Sequence, residues 1–207
     1  MNRVTVVDLG LGNLGSVQKA IVRAGGEPVL ATHAEEIARA ERVIVPGVAA
    51  FGLGMERASA LGLRDALRAA LARGAPVLGI CLGMQILFEE GEEDGIRKGL
   101  ALLPGRVTRI PDGVQVPHIG WQKLAWTSDS ALGQPGRKPL WAYFANSYRC
   151  EAPGELTQAI ADHSGVPIAA VVGRETLFGV QFHPEKSAKG GEDLLARFLR
   201  LPAGARA

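Results

Sequence analysis

The stretch PVLGICLGMQILFEE carries the residue best suited to covalent chemistry, Cys81, where an apolar run gives way to a helical pattern. Gly79 and Gly83 flank it as G-x-C-x-G, the cysteine counterpart of a nucleophile elbow. A nucleophile on a tight strand-to-helix turn needs neighbours without Cβ atoms, so that the backbone accepts strain and the sulfur stays reachable. A helix starting just after it adds partial positive charge and free N–H groups, which favour a thiolate and an adjacent oxyanion. A buried structural cysteine is the commoner fate of a free thiol. The paired glycines at a strand–helix junction tip the balance toward a nucleophile.

A thiolate nucleophile needs a base, and the chain has four histidines. His33 and His163 lie in polar, loop-like surroundings and read as solvated. His118, in VPHIGW, follows a proline in a strand-like run. His183 closes the run LFGVQF and is followed by Pro184 and Glu185. In an extended segment residues i and i+2 point to one side, so Glu185 is placed to orient the His183 ring and leave its other nitrogen for Cys81. The plainer alternative for HPE is a surface turn with an exposed ion pair.

The elements that must position these groups follow from periodicity. Strands are expected at 3–8, 28–31, 42–47 and 75–80, and helices at 16–25, 34–41, 61–74 and 82–90. That alternation argues for a parallel sheet with helices on both faces. The second half reads as strand-like runs broken by Gly, Pro and Asp: GRVTRI, VPHIGWQKLAW, LWAYFANSYRC, LTQAIAD, PIAAVVGRE and LFGVQFHP. These suggest hairpins and an antiparallel extension. Residues 127–139 read as a loop, 190–200 as a last helix and 201–207 as a frayed tail, all within one domain spanning 1–207.

Composition narrows the function classes. With 207 residues and 47% hydrophobic content, one α/β domain has enough core. Lys+Arg 23 against Asp+Glu 21 is too balanced for a nucleic-acid binder. No apolar run approaches the roughly 18–20 residues of a membrane span, and no signal-peptide pattern is expected. The two cysteines, Cys81 and Cys150, form no framework of bridges, so a reducing cytoplasm is the default, and Cys150 reads as a packing residue. Cys and His are too sparse for a zinc site of the C-x-x-C type.

The loop GLGNLGS matches G-x-G-x-x-G after the first strand. A dinucleotide site also needs an acidic residue at the end of the second strand. That strand instead runs into Thr32 and His33, so the glycines read as a tight turn.

GICLGMQ, with QFHPEKS about a hundred residues later, resembles the class I (triad) glutamine amidotransferases. VIVPGVAAFGLGM, VPHIGW, YFANSYR and FHPEKS make the chain similar, more narrowly, to the glutaminase subunits of imidazole glycerol phosphate synthase. The resemblance implies a flavodoxin-like fold with an antiparallel extension, no cofactor, and a triad of Cys81, His183 and Glu185 acting on glutamine. It implies oxyanion donors in the backbone of Leu82 and of the loop Gly47-Val48-Ala49, which would rearrange when a partner binds. It places Gln85 and Glu93 on the glutamine. It implies a (β/α)8-barrel cyclase as partner, which uses the ammonia to make imidazole glycerol phosphate and an aminoimidazole carboxamide ribotide, and puts Asn13, Trp121, Tyr143 and Lys186 at that interface.

Four positions depart from the family pattern. Ala49 replaces a glycine of the oxyanion loop, and alanine tolerates positive φ poorly. Leu9 stands for a tyrosine, Gln122 for an asparagine and Asn146 for a histidine; these three are expected to bear on the interface rather than the triad. A glutaminase serving another synthase, such as pyridoxal phosphate synthase, and a catalytically silent binding module remain as alternatives. PHIGW and HPEKS argue against the first, and an intact triad set against the second.

Overall fold

The β-branched runs of the first half become the strands β1 (Asn2–Val7), β2 (Gly26–Ala31), β3 (Val43–Gly47) and β4 (Val77–Cys81). Helices α1 (Leu14–Arg23), α2 (Ala34–Ala38), α3 (Phe51–Leu61) and α4 (Leu63–Ala72) connect them, and α5 (Leu82–Gln85) follows β4. The computed structural model describes residues 2–136 and 140–203. The second half supplies β5 (Glu90–Gly91), β6 (Arg97–Lys98), β7 (Arg106–Arg109), β8 (His118–Trp126), β9 (Trp141–Asn146) and β10 (Tyr148–Glu151). Then come β11 (Thr157–His163), β12 (Val166–Arg174), β13 (Leu177–Val180), a 3₁₀ turn at Pro184–Lys186, and α6 (Ala188–Leu199).

The main sheet has the order β2-β1-β3-β4-β13-β12-β11-β8-β9. Pairings from β2 to β13 are parallel, and those from β13 to β9 are antiparallel. The expected α/β architecture, a flavodoxin-like parallel core with an antiparallel extension, is therefore present. One face of the sheet is covered by α2, α3 and α4 through Ile37, Phe51, Ala58, Leu63 and Leu67. The other is covered by α1 and α6 through Val17, Ile21, Leu194, Leu195 and Phe198. The loops after β1, β3, β4 and β13 all leave the carboxyl edge of the parallel strands, the edge where open α/β sheets bind ligands. Among the described residues no helix is long and apolar enough to cross a membrane.

Several local expectations are corrected. The helix expected at 82–90 stops at Gln85, because residues 99–103 take the carbonyls a longer helix would use. Leu100 N–H bonds Ile86, Leu102 and Leu103 bond Leu87, and Ala101 bonds Phe88. The helix expected at 61–74 is preceded by α3, whose signal Gly52 and Gly54 dilute; Gly62, at φ +68°, separates the two. The run LWAYFANSYRC breaks at Ser147: β9 stays in the main sheet, while β10 joins a second sheet of order β10-β7-β5-β6. The tail from 201 begins ordered, with the Arg42 guanidinium donating to the Leu201 carbonyl at 2.6 Å. Residues 204–207 of that tail, and 137–139 of the expected loop, lie outside the described residues.

Candidate active site

Cys81 ends β4 with φ +54° and ψ −111°, a left-sided conformation that side chains avoid unless the surroundings impose it. The two flanking glycines are there for close approach. A Cβ on Gly83 would collide with the Val45 carbonyl, and one on Gly79 would come 2.5 Å from the Gly83 carbonyl. The elbow is thus wedged between β3 and β4, and Gly47 of β3 lies beside Cys81 in register.

His183 follows β13, the strand next to β4. Its Nδ1 lies 2.8 Å from Glu185 Oε1, with both side chains buried. Cys81 acts on the ring as well, close enough to influence its proton. Burial alone would push the imidazole pKa down. The hydrogen bonds to Cys81 and Glu185, with the negative charge on both, overcome this and raise it to about 9. Glu185 reaches the ring from the 3₁₀ turn that Pro184 starts, rather than from the extended segment expected.

The backbone of His183 is pinned as well. Its N–H donates to the Tyr143 carbonyl at 2.9 Å. Its carbonyl accepts from Ser187 Oγ at 2.6 Å and from the Lys186 N–H at 3.0 Å. Ser187 Oγ in turn accepts from the Tyr143 N–H at 2.9 Å.

The remaining expected site residues surround this centre. Leu82 is the first residue of α5, where a helix leaves N–H groups without intrahelical partners. Val48 is exposed, and Ala49 takes no positive φ, so the alanine carries no strain in this conformation. Gly12, at φ +125°, packs against Gly47 and Val48, so the first glycine loop backs the loop after β3. Gln85 spends both amide N–H groups internally, on the Tyr148 carbonyl (3.3 Å) and on Gln181 Oε1 (3.2 Å). Its carbonyl oxygen is what it can offer a ligand, so it is suited to a ligand that donates. Glu93 Oε2 accepts the Phe51 N–H at 2.6 Å and so caps α3, which has no side-chain cap of its own.

Of the four residues expected at an interface, Trp121 and Lys186 both meet Tyr143, and Asn13 caps a helix. Asn13 is exposed, and its Oδ1 accepts the Ser16 N–H to cap α1. Trp121 is 47% exposed and meets Tyr143 edge-on at 6.0 Å; Lys186 Nζ sits 5.9 Å from the Tyr143 ring centre. Ile119, two residues from Trp121 on the same strand, is exposed as well, so these residues make an apolar surface beside the Pro184–Lys186 turn. Two of the departures expected at an interface are buried instead: Leu9 in the core, and Asn146 with its Nδ2 donating to the Tyr148 carbonyl at 3.0 Å. Gln122 is half-buried on β8.

The other histidines are apart from this chemistry. His33 is exposed, as expected. His163 is not solvated: it is buried, with Nε2 2.7 Å from the Gln115 carbonyl. His118 is stacked between Phe144 (4.7 Å) and His163 (4.1 Å). Burial, with a smaller contribution from His163, lowers its pKa to about 4, so it is neutral packing. Two polar residues not singled out in the sequence join the site, Gln181 and Ser187, both buried. A lone glutamine inside the apolar run LFGVQF was the available signal for the first. Among the described residues no group of three or more His, Cys, Asp or Glu is placed to hold a metal ion.

The family model for class-I glutamine amidotransferases matches residues 5–201. Imidazole glycerol phosphate synthase subunit HisH of Symbiobacterium thermophilum is 45% identical over 202 residues, covering 97% of this chain and 95% of its own. The protein of the same name from Geobacillus thermodenitrificans is 43% identical, with coverage of 99% and 98%. Among solved structures, a glutamine amidotransferase superposes with TM-score 0.73 at 23% identity, over 95% of this chain and 96% of that one. PurLQS from Thermotoga maritima gives 0.75 at 20% identity, over 95% and 97%. These two show a shared fold.

Proposed function

We propose, since the chain belongs to the class-I glutamine amidotransferase family, that it is the glutaminase subunit of imidazole glycerol phosphate synthase. It hydrolyses glutamine to glutamate and ammonia for histidine biosynthesis in the cytoplasm, as one amidotransferase domain. The observation that carries the chemistry is the buried His183–Glu185 pair at 2.8 Å, just after the strand next to the Cys81 elbow, with Cys81 among the groups that raise the His183 pKa.

The thiolate of Cys81 attacks the carboxamide carbon, forming a C–S bond and placing negative charge on the oxygen. The N–H of Leu82 and the loop Gly47-Val48-Ala49 receive that charge. The raised pKa of His183 keeps the imidazolium available, so its proton goes to the departing nitrogen and ammonia leaves. A thioester remains. Neutral His183 then takes a proton from water, which attacks the thioester, releasing glutamate and returning the sulfur to thiolate. Gln85 accepts a hydrogen bond from the substrate through its carbonyl oxygen, and Glu93 is the second side chain that holds the glutamine.

The ammonia passes to a (β/α)8-barrel cyclase subunit. The exposed Trp121 and Ile119, with Lys186 and half-buried Tyr143 beside them, support docking of that partner here, since exposed aromatic patches next to a site are typical of interfaces. The test is glutamine hydrolysis by the chain alone and with the cyclase and its nucleotide ligand. Low activity alone with strong stimulation in the complex is expected. Equal activity in both conditions contradicts the partner assignment, and none in either contradicts the glutaminase.

A further inference from the structure

Gln181 is fully buried between β13 and His183, its backbone N–H bonded to the Ala170 carbonyl at 3.0 Å. Its side-chain amide makes three contacts. Nε2 donates to Cys81 Sγ at 3.8 Å. Oε1 accepts from Gln85 Nε2 at 3.2 Å and from the Cys150 thiol at 4.0 Å.

The two donors on Oε1 fix which way the amide faces. Rotated by half a turn, it would set its own N–H groups against those of Gln85 and the S–H of Cys150, and leave the sulfur facing a carbonyl oxygen. Cys150 serves this purpose only while it keeps its proton. Burial, and then the neighbouring Cys81, push its pKa well above the usual thiol range, so it stays an S–H donor. Cys81 faces two ionisable neighbours, His183 with Glu185 behind it, and Cys150. A fixed N–H on Sγ is a stronger bond for a thiolate than for a thiol.

We propose that Gln181 is a positioning residue: oriented by Gln85 and Cys150, it holds an amide donor on the Cys81 sulfur and ties the nucleophile to the glutamine-holding side chain in one frame. This rests on Cys81 being the nucleophile. It assigns Cys150 a role beyond packing, as the buttress that keeps the amide turned the right way.

The experiment measures the rate of Cys81 alkylation by iodoacetamide against pH, read by mass spectrometry, together with kcat and KM for glutamine in the cyclase complex. Gln181→Met keeps the volume and removes donor and acceptor. We expect its alkylation profile to move to higher pH, with about a tenfold slower rate at neutral pH, the size of one lost charge-assisted hydrogen bond. kcat falls and KM rises, because Gln85 also loses its anchor. Cys150→Ala shows the same shift in weaker form, and Cys150→Ser, which keeps a donor, recovers most of it. An unshifted alkylation profile in Gln181→Met overturns the proposal; should that variant fail to fold, an unshifted profile in Cys150→Ala does so. Alkylation of wild-type Cys81 that leaves glutaminase activity intact is a different result, and it removes the nucleophile assignment itself.

Discussion

The N–H of His183 donates to the carbonyl of Tyr143 at 2.9 Å, and Ser187 Oγ closes the loop by accepting from Tyr143 and donating to His183. The proposed base and a surface aromatic of β9 therefore share a short, rigid link. The backbone of Tyr143 holds the histidine, while its ring lies in the apolar surface beside the triad turn. Were a partner to dock on that surface, as proposed, its contacts would lie one backbone link from His183.

Removing the hydroxyl in Ser187→Ala leaves the buried Tyr143 N–H without its acceptor. That costs about 1–3 kcal/mol of stability. The unfolding midpoint in urea should fall, and kcat should drop several-fold as His183 loses its carbonyl anchor. A variant with the wild-type midpoint and kcat would mean that Ser187 carries neither load.

Glu185→Gln removes the negative charge that helps hold the His183 proton. With the folded pKa raised to about 9, wild-type activity should fall as pH rises through that value and the imidazolium is lost. In Glu185→Gln that limb moves to lower pH. The same proton contributes to stability. The folded pKa lies above the unfolded 6.5, so this contribution is complete below 6.5 and fades as pH rises toward 9. Activity and unfolding profiles between pH 6 and about 10 check both statements.

Gly83→Ala should be among the most damaging single substitutions, because its Cβ would occupy the position of the Val45 carbonyl. Losses above about 4 kcal/mol come from few mechanisms, and backbone collision in a packed core is one of them. Urea denaturation of the variant should show little folded protein. Near-normal stability would mean that the elbow relaxes more easily than its packing indicates.

Trp121→Ala should leave the isolated chain within about 0.5 kcal/mol of wild type, as exposed substitutions do. It should weaken binding of the cyclase by about tenfold or more, since exposed aromatics supply interface hot spots. Titration calorimetry on the two purified subunits measures this. Unchanged affinity would place the docking surface elsewhere.

The Cys81 turn and the His183–Glu185 pair were legible because their parts are local in sequence: G-x-C-x-G signals an elbow, and H-P-E puts an acid two residues from a histidine. The parallel core was legible for a similar reason, as strand and helix periods alternate cleanly up to β4. What sequence could not give are relations between distant residues. Gln181 acquires its place from Gln85, 96 positions away, and from Cys150, 31 positions away. The early end of α5 depends on residues 99–103 taking its carbonyls. His163 stands among polar residues in the sequence, yet β11 carries it inward to stack on His118. Glu93, expected on the glutamine, is found capping α3, a duty that only the folded chain reveals.

Cys81→Ala in the reconstituted complex, assayed once with glutamine and once with an ammonium salt, tests the proposed nucleophile most directly. No product is expected from glutamine and undiminished product from ammonium, because the proposed cyclase would need only ammonia. Product from glutamine at the wild-type rate would contradict the triad; loss of product from ammonium as well would contradict the division of labour between the two subunits.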